Sequence, residues 1–125
     1  MQHVVDARPA TRRNSAGGRS VALSEKDFQC QVTDLAVILG WEWLHFRPAR
    51  TTAGWRTPVS GTVAAGWVDL VLCRPPRLIL AELKSDKGKV SEHQERWLTM
   101  LGSCVGVECF LWRPADLEWI AKVLA

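Results

Sequence analysis

The order of apolar and polar positions divides the chain near residue 22. Before that point Arg, Ser, Gly and Pro follow one another without a period, which is the composition of a flexible arm. From Ser24 onward periods appear. Ser24 stands as an N-cap with acids behind it, and Phe28, Val32, Leu35, Ala36 and Leu39 recur at helical spacing until Gly40 stops them. Alternation in WEWLHFR (41–47) predicts a strand. Residues 48–64, PARTTAGWRTPVSGTVA, hold Gly, Pro and Thr in no period, so a long functional loop is expected there. WVDLVLC (67–73) and RLILAELK (77–84) are apolar almost throughout. They predict two central strands covered on both faces and joined as a hairpin across Arg74-Pro75-Pro76. Ser91-Glu92-His93-Gln94 fits a capping box opening a second helix that Gly102 closes. VECFLW (107–112) predicts a further strand, and Pro114 starts a short last helix through Leu117, Trp119, Ile120 and Leu124. The order is α-β-β-β-α-β-α, an α/β chain with one folded unit over residues 23–125 behind a basic tail at 1–22.

Composition narrows the class. A chain of 125 residues with 47% apolar content can bury a core of its own. No apolar run is long enough to span a bilayer and no secretory h-region follows Met1, so no membrane partner is expected. The Arg-rich, acid-poor start bears a faint likeness to a transit peptide, but a flexible tail is the simpler reading. Cys30, Cys73, Cys104 and Cys109 are irregularly spaced, two of them inside apolar runs, which suits reduced core thiols in a cytoplasmic protein. Zinc held by Cys104 and Cys109 would need further ligands, and only His3, His45 and His93 are on offer. Charge is uneven. The first 22 residues carry Arg8, Arg12, Arg13 and Arg19 against Asp6, while Trp43 to Ala81 carries Arg47, Arg50, Arg56, Arg74 and Arg77 around the single acid Asp69. A basic zone around one carboxylate fits a phosphate-bearing partner held near a metal; solvated arginines in a loop are the plainer alternative.

The chemistry concentrates in two apolar strands. Asp69 interrupts the first, and Glu82 and Lys84 end the second on one face with Leu80, since residues two apart share a side. An antiparallel hairpin turning at residues 74–76 brings Asp69 opposite Glu82. Two converging carboxylates make a hard-oxygen site for Mg²⁺ or Mn²⁺, and a lysine beside them can hold a water and offset charge on an attacked phosphate. A buried salt bridge between Lys84 and one acid is the structural alternative, but it leaves the other acid unpaired. Two further residues break pattern: Glu25 on the stripe of Phe28 and Val32, and Gln94 on the stripe of Trp97, Leu98 and Leu101. Helix-dipole and capping roles explain each of these alone. Gly88-Lys89-Val90-Ser91 is no phosphate loop, lacking the upstream glycine, and His93 falls off the Gln94 stripe toward solvent.

Taken together, SEKDFQ, GWVDL, AELK and GKVSEHQ resemble the VRR-NUC nucleases of the PD-(D/E)xK superfamily over residues 24–112. Val68 stands where that family carries proline. The resemblance implies a restriction-endonuclease-like core with a central mixed sheet flanked by helices, and Mg²⁺- or Mn²⁺-dependent hydrolysis of DNA. Compact members are similar to homodimeric Holliday-junction resolvases, which implies branched DNA and a homodimer. It assigns metal binding to Asp69, Glu82 and the Leu83 carbonyl with support from Glu25, nucleophile activation to Lys84, and the holding of Lys84 or a phosphate to Gln94. DNA contacts are expected from Arg47, Arg50, Arg56 and Trp55 in the basic loop, and from Lys87 and Lys89. A non-catalytic DNA-binding or assembly module and an RNA-directed nuclease remain the rival expectations. Paired incision suggests a twofold dimer through the last helix, by Leu117, Ile120, Ala121 and Leu124 beside Trp119, Val123 and Trp112, unless those residues fill the chain's own core.

Overall fold

The computed structural model describes residues 23–46, 49–52, 54–56, 59–61 and 65–125. Helix α1 (Glu25–Ile38) opens on Ser24, whose Oγ accepts from the Asp27 amide at 3.1 Å, and stops at Leu39 before Gly40 turns at φ +83°. Four strands form the main sheet: β1 (Glu42–His45), β4 (Leu70–Arg74), β5 (Arg77–Leu83) and β6 (Glu108–Trp112), in the order β1-β4-β5-β6. The first three run antiparallel and β5–β6 is parallel, with helix α2 (Glu92–Gly102) in the crossover. A turn of 3₁₀ helix (Pro114–Asp116) leads into α3 (Leu117–Leu124). The elements of the main sheet and its helices thus follow the expected order. The loop expected at 48–64 instead contains a short hairpin of its own, β2 (Ala49–Thr51) against β3 (Gly54–Arg56). Three-residue strands are too short for alternation to reveal them.

The sheet is the middle of three layers. On one face Leu70, Leu72, Ile79, Ala81 and Leu83 pack against Phe28, Val32 and Ala36 of α1 and Ile120 and Leu124 of α3. On the other, Leu80 and Cys109 meet Leu98 of α2 and Val68. Strand β5 is therefore buried on both sides, and its alternation sends Leu80 and Glu82 toward α2. Burial of β4 is only partial on its second face, where Val71 packs on the Val68 cluster but Cys73 is exposed. Cys30 and Cys104 are exposed too, which leaves Cys109 as the core thiol; all four are free. Burial, with the Glu82 charge behind it, pushes the Cys109 thiol up to about 12, as suits a buried core thiol.

Two more expectations change. Gly102 lies within α2, which caps at Ser103. The stripe of α3 is spent internally: Ile120, Leu124 and Trp112 are fully buried, and Leu117, Trp119 and Val123 pack on the same core. Arg74 and Arg77, counted above in the basic zone, are likewise structural. They flank the Trp41 ring with guanidinium carbons 4.7 and 5.0 Å from its centroid. Arg74 donates to the Leu39 and Leu124 carbonyls at 2.9 and 3.0 Å, tying off the ends of α1 and α3. Arg77 holds Glu108 in a fork of 2.8 and 2.7 Å and donates to the Val123 carbonyl at 2.8 Å. This cluster closes the hairpin end of the sheet, leaving the opposite end for chemistry.

Candidate active site

At that opposite end, the β4–β5 register pairs Leu70 with Ala81, so one step further Asp69 comes level with Glu82. Asp69 does not interrupt β4; it sits in a bend just ahead of it. Its Oδ2 accepts from the Leu83 amide at 2.9 Å, and its carbonyl accepts from the Phe46 amide at 2.8 Å. Residues 65–69 are pressed onto the start of α2. Gly66 has φ +82°, and a Cβ there would lie 2.4 Å from the His93 carbonyl carbon. The Trp97 indole donates to the Ala65 carbonyl at 3.1 Å, and the Trp67 ring stands edge-on to Trp97 and to Phe46. Those rings lock the bend that carries Asp69 between β1 and α2.

Glu82 is 1% exposed. Its Oε1 accepts from Gln94 Nε2 at 2.7 Å and lies 3.5 Å from Lys84 Nζ. Gln94 has the expected capping role, its Oε1 accepting from the Ser91 amide at 3.0 Å, while its Nε2 donates to Glu82 where Lys84 or a phosphate was expected as the partner. The salt bridge of the structural alternative is also present, between Lys84 and Glu82, and the acid outside it, Asp69, is held by the Leu83 amide instead. Glu82 Oε2 is buried and receives no donor from any described residue unless a proton is shared with Asp69. Glu82 is pushed up to about 8, by burial first and the Asp69 charge second, with Lys84 opposing both. Asp69 is raised by burial, against the pull of the Leu83 amide, a hydrogen bond shared with Glu82, and the charges of Lys84 and His45. Buried acids side by side with one oxygen lacking a donor are satisfied by a shared proton or by a cation. The donor set therefore fits a hard divalent ion taking one or two protein carboxylates and keeping its waters.

Beside Asp69 lies a cleft of about 370 Å³ lined by Glu25, Lys26, Gln29, His45, Phe46, Asp69 and Leu83. Glu25 is exposed rather than turned into the core, and its carboxyl is raised by partial burial and by Asp69. Among the described residues no three His, Cys, Asp or Glu side chains group as a metal cage, and Glu25 shares the cleft with Asp69, whose charge reaches it. Reasoning from sequence missed Lys26, Gln29 and His45. The signal for His45 was its place at the end of β1, paired with Leu70 and so next to Asp69. Lys87, Lys89 and His93 are exposed. Arg47 lies outside the described residues, and Arg50, Trp55 and Arg56 are placed by backbone alone, in β2 and β3. Among the described residues no helix is long and apolar enough to cross a membrane. No family model, curated protein or solved structure matches the chain.

Proposed function

We propose that this chain is a divalent-metal-dependent nuclease of restriction-endonuclease-like fold, akin to the VRR-NUC family, that hydrolyses DNA phosphodiester bonds, with branched DNA as preferred substrate. The observation that carries the reading is the buried Glu82, one oxygen fixed by Gln94 and facing Lys84, the other without a donor beside Asp69. Buried polar groups are mostly paired, and an oxygen left over beside a second acid is where a shared proton or a cation would sit. In this reading Asp69, Glu82 and the Leu83 carbonyl would hold Mg²⁺ or Mn²⁺. Such an ion lowers the pKa of water and neutralises charge on a phosphoryl oxygen.

The chain's own residues supply the rest. Gln94 fixes which Glu82 oxygen is left for the ion. The Leu83 amide orients the Asp69 carboxylate. The Lys84 ammonium, 3.5 Å from Glu82 and mostly covered, orients a water for in-line attack and stabilises charge gathering on the phosphate. Glu25 lines the cleft beside Asp69, from where it would support the metal or its waters. DNA contacts fall to Lys87 and Lys89 and to the hairpin carrying Arg50, Trp55 and Arg56.

The test is purified protein with Mg²⁺ or Mn²⁺ on linear, flap and four-way-junction DNA, with matching RNA. Metal-dependent cutting of DNA is the expected result. Asp69→Ala and Glu82→Ala should lower the rate by orders of magnitude while remaining folded, and Lys84→Ala by about 10² or more while still binding metal. A folded Glu82→Ala protein that cuts normally would sink the assignment.

A further inference from the structure

Resting on that nuclease reading, we infer that Arg113, outside every site assigned so far, is a positioning residue that holds the Lys84 ammonium at Glu82. It does so through the turn following β5. A single guanidinium nitrogen, Nη1, donates to the Ser85 and Gly88 carbonyls at 2.7 Å each, with the Asp86 carbonyl at 3.4 Å. The same turn is closed by the Gly88 amide donating to the Ser85 carbonyl at 3.1 Å. Gly88 in turn lies on the stem of Lys84: a Cβ there would meet Lys84 Cδ at 3.4 Å and Ser85 Oγ at 3.0 Å.

Arg113 is itself anchored. Its amide donates to Asp116 Oδ2 at 2.9 Å, and its carbonyl accepts from the Asp116 amide at 2.8 Å. One residue earlier, the Trp112 carbonyl accepts from the Lys84 amide at 3.0 Å, so the end of β6 fixes both the backbone of Lys84 and the turn against its stem. A cation meeting several carbonyls freezes a turn that otherwise ends in exposed Asp86 and Lys87. Lysine has four rotatable side-chain bonds, and without that wall its ammonium is free to leave Glu82. Misplacing a reacting group by about 1 Å can cost on the order of 10² in rate.

The experiment compares Arg113→Met, which keeps the stem without charge, with Arg113→Lys, which keeps one nitrogen. First, the Lys84 ammonium resonance is followed by NMR, assigned by its disappearance in Lys84→Ala. In Arg113→Met it should shift toward the exposed-lysine position of Lys87, and Arg113→Lys should restore it in part. Second, in the cleavage assay Arg113→Met should lower kcat by about 10- to 100-fold with KM changed less than about threefold. In a Lys84→Ala background the same substitution should cost nothing further, because its effect passes through Lys84. An unmoved ammonium resonance overturns the inference, as do losses that multiply in the double variant. If the wild-type protein cuts no nucleic acid, the nuclease reading fails, while the resonance still decides what Arg113 does.

Discussion

Glu82 is the residue on which the molecule's pH behaviour turns. Its carboxyl rises from 4.5 to about 8 on folding, and Asp69 and Glu25 shift the same way. Between those limits the folded chain keeps a proton that the unfolded chain gives up, so stability falls as pH rises from about 4.5 to about 8. Urea unfolding in the presence of chelator should show that decline, and Glu82→Gln should flatten it. Mg²⁺ added at pH 8 should recover the lost stability, because an ion bound to the native carboxylates takes the proton's place. A flat profile with metal present and absent would contradict the cation-site reading. Gln94 offers a second check. Gln94→Glu preserves the capping box, which accepts either residue, but sets a carboxylate against Glu82 Oε1. Cleavage should drop while the helix content by circular dichroism stays.

At the scale of elements, the bend at 65–69 decides where Asp69 stands. Gly66 allows both a left-handed turn and backbone contact with α2, so Gly66→Ala adds strain of about 1–3 kcal/mol and a clash at His93. Thermal unfolding should show the loss, and cleavage should fall further than stability alone explains, since Asp69 moves with the bend. The major elements were legible because their signals are local: a capping box at Ser91–Gln94, a stripe from Phe28 to Ala36, an apolar hairpin at Pro75-Pro76. The hairpin of β2 and β3 was not, since its pairing depends on contacts across Thr52 rather than on periodicity. The end of α2 was misplaced for a related reason. Gly102 is buried inside the last turn, and glycine signals a stop only when its backbone turns left-handed, as Gly40 does.

For the whole molecule, the sheet separates structure from chemistry. Arg74 and Arg77 tie α1, α3 and Trp41 at one end; the acids and Lys84 occupy the other. Arg77→Met should therefore lower the melting temperature without changing the salt dependence of DNA binding. Deleting residues 1–22, with their four arginines against one acid, should flatten that salt dependence while leaving cleavage of bound DNA intact. Fluorescence anisotropy across a salt series separates the two, and equal slopes in both variants would refute the division. The α3 stripe, offered above as a dimer face, belongs to the core in this structure. Trp119, edge-on to Phe110 at 5.5 Å, is part of that packing. Trp119→Glu should accordingly destabilise the fold.

The sequence by itself determined the order of the main elements and the alternation that puts Glu82 and Lys84 on one side of β5. Both follow from periods of 3.6 and 2 that any short stretch carries. It also marked Asp69 and Gln94, because a polar residue in an apolar stripe stands out wherever the chain goes. Only the tertiary structure decided which arginines were structural, since that depends on the helix ends and the glutamate they meet. It alone brought His45 beside Asp69 and Arg113 beneath the turn after Lys84, across stretches of chain with no common period. And it alone left Glu82 Oε2 without a donor: burial and pairing belong to the packed molecule, where elements distant in sequence exclude water together.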